Sequence, residues 1–363
     1  MIQKYKISNK YKYFKEVDKI FRYRGIVKTR HGKLRFDANE RVSNFDKTFL
    51  NKIKKKINSN YLTAYPETEK IYDILSSKFK MHREMFMLTA GSDVGIKNCF
   101  ELLIKPKDEI ITVHPTFGMV DVYAKLYRSK QIKITYNKKL ELDYKKLIKK
   151  ISNKTKLIIL ANPNSPTGTI LNEKKIIFLL KRAKKFNSYV LIDEAYYGFY
   201  NYSAINLIRR FSNLIVLRTF SKAYGLAGCR VGFIIANKTL AQRLYKYRSM
   251  YEINSIGVLI VEEIIKSKNI LNDYVKKTHN GKKLLTQNLS KFGFKYFNSY
   301  SNFIIIDFKS KALKKKVWNY FSRKGILVRN GPDIPALKNC LRFTLGPVKY
   351  MKIIVKNLKK FSK

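Results

Sequence analysis

Four short segments of the chain place polar, chemically competent residues just after runs that read as apolar strands. In open α/β sheets ligands gather beyond the carboxyl ends of the strands, so such segments are candidates for a site. Thr89-Ala90-Gly91-Ser92-Asp93 leads from a strand through glycine into a helix, a turn that offers backbone N–H groups and a helix N-terminus to an anion. Taken alone, it reads more simply as a helix cap in which Ser92 or Asp93 satisfies the first turn. NPNSPTGT (162–169) is an irregular turn forced by two prolines and a glycine, with Asn164 and Ser165 as its polar residues. In LIDEAYYGFY (191–200), Asp193 and Glu194 interrupt an apolar strand, where a carboxylate must be paired or functional. A carboxylate capping a neighbouring helix explains that segment equally well. The last segment, LRTFSKAYGLAGCRVGF (217–233), carries Ser221, Lys222 and Arg230. Among 76 basic residues any one lysine is by default a solvated charge. Lys222 differs in its setting, because Ala223, Gly225, Ala227 and Gly228 would let backbone approach a flat ligand.

The elements that must position these segments alternate along the chain. Helical patterns fall at 48–59, 68–80, 92–104, 117–126 and 173–186, and strand patterns at 84–90, 108–114, 131–136, 156–161, 188–195 and 213–220. LRFDANE (34–40) reads as extended, and the first ~35 residues as a basic, aromatic arm or opening helix. Short apolar strands separated by amphipathic helices predict an α/β fold with a mostly parallel central sheet covered on both faces. After about residue 256 the pattern changes to long helices (256–290), FIIIDF (303–308), a helix (310–323), GILVR (325–329), CLRFTLG (340–346) and a terminal helix. That sequence predicts a smaller α+β domain. The expected division is 1–45 for the arm and part of the small domain, 46–255 for a large cofactor-binding domain, and 256–363 for the small domain.

Together the four segments meet the needs of pyridoxal phosphate. That cofactor requires a lysine amine for its Schiff base, a carboxylate that keeps the pyridine nitrogen protonated, a phosphate cradle, and donors at the ring hydroxyl. NPNSPTG, DEAYYGF and RTFSKAYGLAGCRVGF resemble the fold-type-I pyridoxal-phosphate aminotransferases, and among them the histidinol-phosphate aminotransferase family, over roughly residues 34–350.

The resemblance implies a role for each matching residue. Lys222 bonds the cofactor and, once released, shuttles the proton between the substrate α-carbon and the cofactor; Asp193 pairs with the pyridine nitrogen; Tyr196 donates to the ring hydroxyl. Ser221, Arg230, Gly91 and the backbone of Ser92 and Asp93 hold the phosphate, and Phe117 stacks on the ring. Tyr65, in AYPE, reaches from the neighbouring subunit of a homodimer to the cofactor phosphate. Arg342, in CLRFTLG, clamps the substrate carboxylate, Arg329, in GILVR, binds a distal phosphate, and Asn39, in DANE, lies near the substrate carboxylate. The sequence departs from the family in three places. Phe117 stands where relatives often carry Tyr. Ser165 precedes PTG where Asn is usual, leaving either Ser165 or Asn164 to meet the ring hydroxyl. The arm lacks the expected Pro-Tyr element and carries Arg22, Arg24 and Arg30 instead.

Composition bounds the remaining classes. The chain has 363 residues, 45% of them hydrophobic and 13% aromatic, too rich for a disordered chain. The net charge is +51, from 76 Lys and Arg against 25 Asp and Glu. Such a field suits a polyanion or a phosphorylated substrate. Yet the lysines, Lys54, Lys55 and Lys56 or Lys149 and Lys150 for example, are scattered over the whole chain, as a solvated surface would have them. Three cysteines without a CxxC, and four histidines without ligand spacing, predict neither a disulfide framework nor a metal site. No signal peptide or spanning stretch is apparent, so a cytoplasmic location is expected. The expected activity is ping-pong transfer of an amino group from an amino acid such as glutamate to a keto-compound such as a phosphorylated one. The alternatives are a decarboxylase of a phospho-amino acid such as threonine phosphate, and a nucleic-acid-binding protein that has kept the fold without the catalysis.

Overall fold

The computed structural model of the protein describes residue 20, residues 30–331 and residues 334–362. Most of the expected arm, Arg22 and Arg24 included, lies outside the described residues. In chain order come β1 (Leu34–Phe36), α1 (Lys47–Lys56), α2 (Asn60–Thr63), α3 (Glu69–Phe79), β2 (Phe86–Thr89), α4 (Ser92–Leu103), β3 (Glu109–His114), α5 (Gly118–Leu126) and β4 (Lys130–Thr135). Next are α6 (Tyr144–Lys150), β5 (Thr155–Ala161), α7 (Glu173–Lys185), β6 (Tyr189–Asp193), β7 (Leu214–Thr219), β8 (Gly232–Ala236), α8 (Lys238–Tyr247), α9 (Ser255–Lys266) and α10 (Lys268–Lys291). The chain ends with β9 (Lys295–Phe297), β10 (Phe303–Asp307), α11 (Lys311–Arg323), β11 (Ile326–Asn330), β12 (Cys340–Thr344) and α12 (Val348–Leu358).

The strands form two sheets. The larger has the order β2-β8-β7-β6-β5-β3-β4. It is parallel from β7 through β4, while β8 runs antiparallel to both of its neighbours, β7 and β2. Its central strands are nearly continuous apolar runs, as strands covered on both faces must be: Leu157 to Leu160 of β5 are all buried. The helices are correspondingly one-sided. In α7, Ile176, Leu179, Leu180 and Ala183 face the core while Lys174, Lys175, Lys181, Lys184 and Lys185 are exposed, and Asn172 caps the first turn by accepting the Lys175 N–H at 3.0 Å. Two apolar clusters line the two faces of this sheet. A third fills the smaller sheet, ordered β1-β11-β12-β10-β9, under α10, α11 and α12.

The small sheet draws its edge strand from the front of the chain: Leu34 to Phe36 pair in parallel with Ile326 to Val328. The extended reading of 34–40 therefore holds only to Phe36, because Asn39 turns into the left-handed region at φ 57°. The 188–195 strand stops at Asp193, and the 256–290 helix divides at Ser267. The sequence patterns miss α2, α6, β8, α8 and β9. Gly232, which reads as a loop signal, opens β8 because a Cβ there would stand 2.7 Å from the Arg218 carbonyl oxygen and 2.9 Å from the Gly91 carbonyl carbon. Helix α6 buries only Leu147, too little to give a period. Among the described residues no helix is long and apolar enough to cross a membrane.

Candidate active site

Strand register gathers the four segments at one end of the large sheet. Gly232, at the start of β8, lies opposite both Thr89, the last residue of β2, and Thr219, the last of β7. The turns Ala90–Ser92, Phe220–Lys222 and Arg230–Val231 thereby become neighbours. Asp193 ends β6 between Leu217 on one side and Ala161 on the other, with the Asn162–Thr169 turn beyond Ala161.

The first turn is built for an anion. Gly91 has φ 84°, and a Cβ on it would lie 2.8 Å from Arg230 Nη2, so only glycine admits the guanidinium this close. Arg230 itself occupies the left-handed region at φ 55°, unusual for a residue with a side chain. Helix α4 begins at Ser92 with no side chain capping its N-terminus. Its first N–H groups therefore suit an anionic oxygen acceptor. The Asp93 carboxylate is held aside, accepting the Tyr123 hydroxyl at 2.9 Å. Ser221, buried beside this turn, shares a hydrogen bond with Thr219 at 2.9 Å.

The two carboxylates of DEAY separate cleanly. Glu194 is structural: its oxygen pairs with Arg218 at 3.0 Å, both side chains almost fully buried, and it also accepts the Ser203 hydroxyl and the Ala204 N–H. Arg218 in turn stacks 3.3 Å from the Tyr197 ring centroid. Asp193, 6% exposed, accepts the Ala195 N–H at 2.9 Å and has no ion pair among the described residues. Burial pushes its carboxyl up to about 7, the Ala195 N–H acts downward, Glu194 adds to the rise, and Lys222 opposes it. A buried acid without a cation fits the protonated ring nitrogen of pyridoxal phosphate.

The amine of Lys222 donates to the Ala38 carbonyl at 3.0 Å. The next residue, Asn39, is fully engaged except at one atom. Its N–H donates to Thr344, its Nδ2 donates to the Tyr196 hydroxyl at 2.7 Å, and its carbonyl accepts Asn302. Because Tyr196 accepts from Asn39, the tyrosine proton is left to be donated elsewhere. Arg342 on β12 donates from Nη2 to the Asp37 carbonyl at 2.8 Å and lies 5.3 Å from the Phe303 ring centroid. It stands directly opposite Arg329 of β11, so both guanidinium groups share one face of the small sheet. Burial pulls the Arg342 pKa down, with Tyr196 acting upward and Arg329 downward. Among the described residues, the buried Asn39 Oδ1, Asn302 Oδ1 and Arg342 Nε have no hydrogen-bond partner. An orphaned acceptor and an orphaned donor beside paired arginines suit an anionic ligand with an N–H or O–H group.

Two expected residues stand differently. Asn164 is fully buried and its amide is spent on the loops around it, with Nδ2 donating to the Pro115 carbonyl and Thr167 and Oδ1 accepting Thr116. Its neighbour Ser165 is half-buried. Tyr65 is 70% exposed and stacks on Tyr251 at 3.7 Å, on the outside of the chain. Phe117 precedes α5 with its ring partly exposed. Sequence reasoning missed the Ala38 carbonyl, because a backbone acceptor leaves no residue-type signal. It also missed Glu252, whose carboxylate accepts the Ala90 N–H at 2.6 Å just before Gly91.

A mostly parallel sheet with a lysine, a cation-free buried aspartate and an anion cradle at one end defines a pyridoxal-phosphate enzyme of fold type I. Residues 46–358 match the family described as aminotransferase class I and II, and the chain belongs to that family, as a pyridoxal-phosphate-dependent aminotransferase. It is 31% identical over 318 residues to a histidinol-phosphate aminotransferase of Caldanaerobacter subterraneus subsp. tengcongensis, covering 86% of this chain and 89% of the relative. It is 33% identical over 296 residues to one from Flavobacterium psychrophilum, covering 79% and 83%. Its fold is similar to that of the Sinorhizobium meliloti histidinol-phosphate aminotransferase solved with pyridoxal-5′-phosphate, at a TM-score of 0.82 and 21% identity over 90% of each chain.

Proposed function

We propose that the protein is a histidinol-phosphate aminotransferase, moving an amino group between glutamate and imidazole-acetol phosphate in two half-reactions. The observation that carries this reading is the pairing of Arg329 and Arg342 across β11 and β12. Two adjacent guanidinium groups suit a phosphate ester in one half-reaction and the two carboxylates of glutamate in the other. The similarity to curated histidinol-phosphate aminotransferases supports the same substrate.

Bound pyridoxal phosphate supplies an electron sink for the charge that develops at the substrate α-carbon. In this reading Gly91, the N–H groups of Ser92 and Asp93, Ser221 and Arg230 bind its phosphate, and Phe117 packs against its ring. Asp193 holds the proton on the ring nitrogen, and that positive charge gives the carboxylate the partner it lacks. Tyr196, oriented by Asn39, donates to the ring hydroxyl. The Lys222 amine, released from the Ala38 carbonyl, would take the proton from the substrate α-carbon and deliver it to the cofactor's C4′. Arg342 binds the carboxylate or phosphate, with its Nε and the Asn39 Oδ1 satisfied by the bound substrate.

The functional unit of this proposal is a homodimer. Leu62, Tyr65, Met250 and Tyr251 form an exposed apolar group in which Tyr65 and Tyr251 stack. A second copy covering this group would bring Tyr65 to the partner's cofactor phosphate. Purified protein supplied with pyridoxal phosphate tests the substrate: glutamate should form from 2-oxoglutarate with histidinol phosphate as donor at a kcat/KM at least about tenfold above that with tyrosine or phosphothreonine. Carbon dioxide released from phosphothreonine, without glutamate formation, would overturn the assignment.

A further inference from the structure

The cradle turn carries a feature that works against an anion. The Glu252 carboxylate accepts the N–H of Ala90 at 2.6 Å, and Ala90 is joined directly to Gly91. A negative charge therefore sits at the base of the turn that, in the reading above, receives the cofactor phosphate. We propose that Glu252 is a positioning residue that fixes the Ala90–Ser92 turn while its charge sets an upper limit on how tightly the phosphate is held. The inference rests on the assignment of that turn as the phosphate cradle.

The surroundings of Glu252 do not cancel its charge by direct pairing. Lys97 and Asn98 of α4 face it, with Arg248 from the segment after α8. Lys97 is already paired with Glu101 at 2.5 Å, and Arg248 Nη2 is directed at the Tyr245 hydroxyl and the Met250 carbonyl. On the far side of the turn Arg230 reaches the Ala90 carbonyl at 3.4 Å. Arg230 and Glu252 thus hold the two peptide groups that flank the Ala90 α-carbon with opposite charges, one attracting a phosphate and the other repelling it. Burial raises the Glu252 carboxyl above the usual carboxylate range, with the Ala90 N–H, Arg248, Asn98 and Lys97 acting the other way. Its tether to the turn and its charge are separable, because glutamine keeps an oxygen acceptor for the Ala90 N–H and loses the charge.

The test uses pyridoxine 5′-phosphate, which has the cofactor's ring and phosphate but no aldehyde, so its affinity reports the cradle and not the bond to Lys222. Calorimetric titration of cofactor-free protein at pH 8 should show Glu252→Gln binding about three- to tenfold more tightly than wild type. Glu252→Asp, which keeps the charge, should bind no more tightly than wild type. Glu252→Ala, which loses the acceptor, should bind more weakly than Glu252→Gln. Should Glu252→Gln fail to fold, Glu252→Asn carries the same expectation of tightening. Equal affinities for wild type and the neutral variants, or equal tightening by Glu252→Asp, would overturn the role of Glu252 and leave the cradle in place. Failure of wild type itself to bind pyridoxine 5′-phosphate would overturn the cradle reading and this inference with it.

Discussion

The Nζ of Lys222 and the carbonyl oxygen of Ala38 lie 3.0 Å apart, so the lysine that follows the large sheet is tied to the segment that follows the first strand of the small one. That hydrogen bond brings the lysine, Asn39 and, through Asn39, Tyr196 into one connected group. Replacement of Lys222 by Ala is expected to lower turnover by at least about 10⁴-fold, since proton transfer and cofactor attachment are lost together. Pyridoxine 5′-phosphate should still bind this variant within about threefold of wild type, because the cradle residues are untouched. Steady-state kinetics and calorimetry check the two halves.

Asp193 gives a pH prediction whose sign is fixed. Its folded carboxyl stands at about 7 in the cofactor-free protein, against roughly 3.9 for an unfolded aspartate. A raised acid favours folding fully only below the unfolded value, and that contribution is lost as pH rises from about 4 through about 7. Asp193→Asn should therefore raise the melting temperature of cofactor-free protein at pH 8 and change it little at pH 4.5. The same variant should be nearly inactive, because the ring nitrogen loses its proton-holding partner. Thermal unfolding at the two pH values is the measurement.

The paired arginines should respond differently. Arg342→Lys keeps the charge but loses the planar fork, and kcat/KM should fall about 10²-fold, equivalent to ~3 kcal/mol. Arg329→Ala should act mainly on KM, raising it for histidinol phosphate more than for a monoanionic amino acid. Separate kcat and KM values for the two donors distinguish the cases.

Glu194 and Arg218 should behave as scaffold. Arg218→Met strands a buried carboxylate and should destabilise the fold by about 3–5 kcal/mol, read by denaturant unfolding. Adding Glu194→Gln to that variant should recover part of the loss, since the uncompensated charge is then gone.

The large sheet was legible because both-face burial writes itself as unbroken apolar runs such as Leu157 to Leu160, and because β-to-α turns carry glycine and proline. What stayed hidden depends on contacts between distant parts of the chain. Gly232 looks like a turn until its crowding against Arg218 and Gly91 is seen. Asp193 and Glu194 are adjacent and alike in type, and apart from the family resemblance it is the buried Arg218 beside Glu194 that tells the structural acid from the chemical one. The engagement of the Asn164 amide was hidden for a similar reason, since the loop that consumes it includes Pro115 and Thr116, far away in the chain. Glu252 gave no signal at all, because its partner is a backbone N–H.

Histidinol phosphate, the product in the direction from glutamate to imidazole-acetol phosphate, should give its amino group back to this site. Protein loaded with pyridoxal phosphate is expected to be yellow, and histidinol phosphate added alone, without any keto acid, should bleach that colour in proportion to active sites. Later addition of 2-oxoglutarate should restore it. A yellow protein whose spectrum ignores histidinol phosphate while glutamate bleaches it would contradict histidinol phosphate as a substrate of this site.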